Sequence, residues 1–100
     1  MYVQVYFAYI AEVCYARIVQ PYYVYIVKAY YLYTGQTYYI YIIQVYYVYI
    51  TETYNVYIIE AHNVHIKQAH NIYIAQTYYV YIVQANTVYI GQAHKHNMHT

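Results

Sequence analysis

Apart from its tyrosines, the chain has few side chains with acid–base, nucleophilic or metal-binding chemistry, chiefly six His, three Glu, three Lys and one Cys. Neutral imidazole is the commonest metal ligand, so His62-x-x-His65, His70 and the tail His94, His96 and His99 could hold Zn, Cu or Ni. The tail is the better candidate, since on a strand His94 and His96 share a face while His99 has the other parity. His62, His65 and His70 stand where neighbouring units of the chain carry Tyr. Their simpler reading is replacement of a Tyr, and no metal or cofactor is assigned. Glu12, Glu52 and Glu60 all fall where Gln is the default, and Ser is absent as a nucleophile. Cys14 has no His within forty residues and no second cysteine for a disulfide or a CxxC site. The expectation is a protein that is not an enzyme.

Composition removes other classes. Hydrophobic residues make up 64% of the 100 residues, aromatics 24% and charged residues 7%, with 23 Tyr; a soluble domain carries about 25% charged residues. The cations Arg17, Lys28, Lys67 and Lys95 are dispersed. Tyr arrays can stack bases, but nucleic-acid binding rests on clustered Lys and Arg, so no nucleic-acid partner is expected. Residues 29–51 form a charge-free run long enough to span a bilayer. It holds nine Tyr, two Gln and a Gly, and Tyr prefers the interface to the hydrocarbon centre. Membrane association is therefore an alternative and not the favoured one. Nothing in the residues indicates a compartment.

The elements that would position these groups follow from a repeat. From Gln4 the chain aligns on itself every eight residues, as QVYFAYIA, EVCYARIV, QPYYVYIV and so on through QANTVYIG and QAHKHNMH, with no gap. The consensus is Q-(A/T/V)-Y-(Y/N)-V-Y-I-x. The chain divides into a lead-in at 1–3, the octapeptide array at 4–91 and a degenerate, polar, His-rich unit at 92–100. Tyr-x-x-Ile, which resembles sorting and phosphotyrosine motifs, recurs only because the repeat generates it.

The period selects the backbone. Eight residues of α-helix leave equivalent side chains about 80° out of phase, so no face could stay apolar. A strand has period two, which divides eight. Each column then keeps to one face, even numbers carrying Val, Ile, Gln and Tyr, odd numbers a Tyr pair and two smaller residues. Tyr, Ile, Val and Thr are also strong strand formers.

These readings predict an all-β chain: an octapeptide tandem-repeat β-solenoid or cross-β-like stack, with a helical membrane-associated or largely disordered chain as the alternative. Residues 22–90 are expected in strand, burying Val24, Ile26, Ile40, Ile42, Val48, Ile50, Val56, Ile58, Ile72, Ile74, Val80 and Ile82. Sixteen residues per coil fit better than eight, because eight would demand Gly or Asn at every corner. Gln68 then stacks on Gln84, and Tyr57 on Tyr73. Bends are expected at positions eight, one and two, as at Gly35-Gln36-Thr37 and Gly91-Gln92-Ala93.

The corresponding function is a non-enzymatic, self-associating, tyrosine-rich structural repeat, with or without a selected role, whose only partner is itself through strand edges. Fibres would grow from the N-terminal edge, and Lys or Glu at Val3, Val5 and Phe7 would slow them. The alternatives are a membrane-associated low-complexity protein and an ice-binding-like solenoid; the latter needs a polar ladder for which Thr37, Thr53 and Thr77 are too few. Column variation follows single-base steps: Tyr to His, Cys or Asn; Gln to Glu or Lys; Ile to Thr or Met. The array reads as an expanded 24-nucleotide repeat. Sequencing the coding DNA should reveal that 24-base periodicity, and scrambled codon choice would refute this origin.

Overall fold

A strand of 76 residues, Tyr23–Met98, would reach about 250 Å if straight, at ~3.3 Å per residue. The computed structural model of the chain measures 30 × 21 × 14 Å, so the strand must coil. It describes residues 2, 3 and 6–98, with side chains described over 6–94. Strand β1 (Tyr2–Val3) pairs with β2 (Phe7–Ile18), and β2 pairs with β3 (Tyr23–Met98), all in parallel. No helix is found among the described residues, and so none long and apolar enough to cross a membrane.

The β2–β3 register sets the geometry. Phe7 lies against Tyr23, Ala8 against Val24, Tyr15 against Tyr31 and Ile18 against Thr34, a constant offset of sixteen residues. The same offset separates the side-chain amides Gln20 and Gln36 and the rings of Tyr57 and Tyr73, 5.0 Å apart. One rung is therefore two octads. Six such rungs at about 4.8 Å each would stand about 29 Å tall, in agreement with the 30 Å long axis.

The core repeats with the octad. Val24, Ile26, Ile40, Ile42, Val48, Ile50, Val56, Ile58, Ile72, Ile74, Val80 and Ile82 are all buried, as expected from their shared parity. Strict alternation fails at one column, however. Position two, represented by Ala29, Thr37, Val45, Thr53, Ala61, Ala69 and Thr77, also faces inward. Positions one and three, which share even numbers with the core, face outward. The inward positions two, five and seven are spaced by three, two and three residues, so two neighbours face outward at positions 3–4 and again at 8–1.

Those outward pairs are corners. At 3–4 the Tyr6 carbonyl accepts from both Tyr22 N–H (2.7 Å) and Tyr23 N–H (3.2 Å), and the Tyr22 carbonyl accepts from Tyr38 and Tyr39 N–H in the same way. Two consecutive donors aimed at one rung break the alternation of a straight strand. The β2–β3 pairing also skips Ala11 at position eight and Cys14 at position three. Each rung thus has two broad sides at positions four to eight and two narrow edges at one to three. The sequence points to bends at the 8–1–2 join alone; the second corner at 3–4 arises because closing a rung around one core requires four turns.

Only one corner uses a left-handed backbone. Among the described residues no Gly has positive φ, and Gln20 (φ 53°) is the one non-Gly residue that does. It precedes Pro21, whose missing N–H interrupts the ladder between β2 and β3. Thr at position two braces the corner instead: Thr53 Oγ1 donates to the Asn55 carbonyl (3.4 Å), and Thr77 Oγ1 to that of Tyr79 (3.2 Å).

Thr34 occupies the seventh column, where Ile is the rule, and its fully buried hydroxyl has no hydrogen-bond partner. A buried unpaired hydroxyl costs on the order of 1–3 kcal/mol. Thr34→Val keeps the shape and removes the hydroxyl, so it should raise unfolding stability by about 1 kcal/mol in denaturant titration. A loss of stability would contradict this burial.

Candidate functional site

From Tyr6 onward a sixteen-residue register turns each position of the octad into two columns that run along the molecule. The aromatic columns at position three are close ring stacks. Tyr6, Tyr22, Tyr38 and Tyr54 follow one another at 4.8–5.1 Å and within 5° of parallel, ending on His70 at 4.7 Å. On the other narrow edge Tyr30, Tyr46, His62, Tyr78 and His94 stack at 4.6–4.9 Å. The broad sides carry Tyr9, Tyr25, Tyr41, Tyr57, Tyr73 and Tyr89 on one side, and Tyr33, Tyr49, His65 and Tyr81 on the other. Arg17 heads the last column, with its guanidinium 5.2 Å from the Tyr33 ring centroid.

Polar columns run beside the rings. Gln20 Nε2 donates to Gln36 Oε1 (3.4 Å), and Gln36 Nε2 to Glu52 Oε1 (2.9 Å). Where Asn replaces Tyr on two successive rungs, Asn71 Nδ2 donates to Asn55 Oδ1 (2.8 Å). Lys28 faces Glu12 at 4.0 Å on the other edge, largely in solvent. Gln68 and Gln84, expected to stack, line one concavity with His70.

Between the polar and aromatic columns each narrow edge forms a groove. The larger, about 700 Å³, is lined by Glu12, Lys28, Gln44 and Glu60 on one wall and Cys14, Tyr30, Tyr46 and His62 on the other, above Val13, Ala29, Val45 and Ala61. Chemistry-bearing side chains from four rungs share this groove, which sequence spacing alone could not reveal. Cys14 and His62 are three rungs apart, about 14 Å at ~4.8 Å per rung, far beyond the hydrogen-bond reach of a nucleophile and its base.

The histidines do not converge. His62 and His70 stand on opposite narrow edges, and His65 on a broad side. His94 caps the Tyr78 stack; His96 and His99 lie outside the residues with described side chains. Among the described residues no group of three His, Cys, Asp or Glu is placed to hold a metal. Thr37, Thr53 and Thr77, the column a surface-binding reading would use, point into the core. Comparison with protein-family models, with curated proteins and with solved structures found no match to this chain.

Two rings titrate abnormally. Burial pushes the His65 pKa below its ordinary 6.5, and its Nδ1 is buried without a hydrogen-bond partner between the Tyr49 and Tyr81 rings. Burial first, and then the neighbouring phenols Tyr23, Tyr57 and Tyr41, push the Tyr39 pKa above 10.0. The folded chain resists protonating His65, whereas the unfolded chain does not. Stability is therefore whole above about pH 6.5 and falls as the pH drops through 6.5 toward the folded pKa. Tyr39 sets the opposite limb, with stability lost as the pH rises beyond about 10. His65→Tyr, which restores the column residue, should flatten the acid limb in denaturant titrations between about pH 7 and 5. An unchanged slope would exclude His65 as its source.

Proposed function

We propose that this chain is a self-stacking structural repeat, a β-solenoid of two octads per rung whose copies join end to end into filaments. The observation that carries the reading is the state of the two ends. Interior rungs bury the Val and Ile of positions five and seven almost completely, while in the last rung Ala85, Val88, Ile90 and Ala93 are only partly covered, and Ile10 and Val13 are partly covered in the first. Both ends thus present half-finished core together with a strand edge, and an exposed edge is a template for pairing.

The two ends also match in register. Residues 87–94 occupy the same columns as 7–14, five rungs apart. A second copy placed below the last rung would set Ala8 under Val88, Tyr9 under Tyr89 and Ile10 under Ile90, with residues 97–100 of the first copy giving way to 1–4 of the second. Tyr89, at 67% exposure, and Tyr9, at 62%, are the uncovered ends of one ring column. Low charge supports the same reading, with no charged residue between Lys28 and Glu52 to act as a gatekeeper. The N-terminal edge remains the proposed growth point; of the positions named for blocking it, Val5 lies outside the described residues.

A disulfide trap tests the joint. Cys14 of one copy would lie one rung, about 4.8 Å, below residue 94 of the next, within the ~4.4–6.8 Å Cα range of a disulfide. Within one chain the two positions are five rungs apart, about 24 Å at ~4.8 Å per rung. Under mild oxidation, His94→Cys should give a ladder of covalent polymers on non-reducing gels, whereas the unaltered chain stops at dimers. Phe7→Lys with Tyr9→Lys should slow filament growth several-fold in light scattering. A chain that stays monomeric in sedimentation at neutral pH, or a His94→Cys variant that forms no polymer ladder, would overturn the proposal.

A further inference from the structure

The two broad sides share one design but differ in what they carry. One is built from the columns that start at Phe7, Tyr9 and Ala11, the other from those that start at Tyr15, Arg17 and Val19. The second side holds Arg17, His65 and Lys67, and its eighth-position column includes Gly35, Thr51 and Lys67. The narrow edges hold Glu12, Lys28 and Glu60 on one and Glu52 on the other. The first side has no charged residue on any rung. Its eighth-position column runs Ala11, Val27, Ile43, Ile59, Ala75 and Gly91. Ile59 is 44% exposed there, beside the stack of Tyr25, Tyr41, Tyr57 and Tyr73.

We propose that this charge-free side is a lateral interface between copies of the chain, closed face to face as a dry sheet-on-sheet contact. It rests on the filament reading and adds to it a second contact, at right angles to the first. On the second side the eighth-position column mixes Val19 and Val83 with Thr51 and Lys67, whereas on the first side it holds no hydroxyl or charge at any rung, which fits a surface that is covered. The occupant is a second copy because the surface is periodic, so an identical ladder meets it with the same rung spacing, as in paired cross-β sheets. The face measures at most about 30 × 21 Å, near 630 Å² in plan. Two copies would then cover about 1,300 Å², within the range of stable interfaces. An anionic lipid surface would call for a basic rim, and the flanking edges carry three Glu against one Lys.

The test uses the full chain and reads filament mass per length by scanning transmission electron microscopy. The variant is Ile43→Lys with Ile59→Lys, and the control is Thr51→Lys on the opposite side. Lys67 already fills that column position, so lysine is compatible with the fold there. The unaltered chain and the control should give the same mass per length, and the double variant half of it. Equal mass per length in all three would overturn the lateral interface while leaving end-to-end growth intact. A soluble dimer in place of filaments, split by the double variant alone, would uphold the interface and overturn end-to-end growth. Binding to phosphatidylcholine vesicles without pairing in solution would reassign the face to lipid and overturn the proposal.

Discussion

The sixteen-residue register governs everything else in this molecule. It places each side chain about 4.8 Å from its own equivalents on the rungs above and below, so the chain must be built from residues that stack well on themselves. Aromatic rings and carboxamides do; like charges do not, because at that spacing their repulsion repeats along the whole column. The exceptions obey the same constraint. Glu12 meets Lys28 and not another Glu, and Glu52 meets the Gln36 amide. A composition with 23 Tyr and only 7% charged residues is thus what in-register stacking selects.

The period, the strand and the buried Val and Ile columns were legible in the sequence because they need only arithmetic: eight is divisible by two and not by about 3.6, the residues in a helical turn. The inward position-two column was not legible. A straight strand would put Thr53 and Ala61 on the same face as Tyr57 and His65, whereas a rung that closes around a core reverses the parity at each corner. Gly and Asn stand at only some of these corners, as Gly35 at position eight and Asn55 at position four, and among the described residues Gln20 alone turns with a positive φ. The grooves were hidden for a different reason. Their walls join residues sixteen, thirty-two and forty-eight apart, as with Cys14, Tyr30, Tyr46 and His62, and no local motif records such a set.

Substitutions that look severe in a linear reading are mild within a column. Tyr to His keeps a flat ring, and His62 stacks on Tyr46 and Tyr78 within 4° of parallel. Tyr to Asn removes the ring, yet Asn55 and Asn71 fall on successive rungs and bond to each other. Thr34 among the Ile residues of column seven finds no comparable partner, since a hydroxyl enclosed by aliphatic side chains has nothing like itself to meet. Drift is therefore filtered by what sits sixteen residues away more than by what sits next door.

Two equivalent octads per rung also tie the molecule's surface to its copy number. Losing or gaining one octad leaves positions two, five and seven facing inward, so the core survives. Every residue downstream, however, moves half a rung around the axis and changes sides. A single such slip between Ile59 and Lys67 would carry that cation into the column of Ile43 and Ile59, and a second slip there would return it. An internal change in octad number, odd or even, thus decides which residues share a surface, with no point substitution at all.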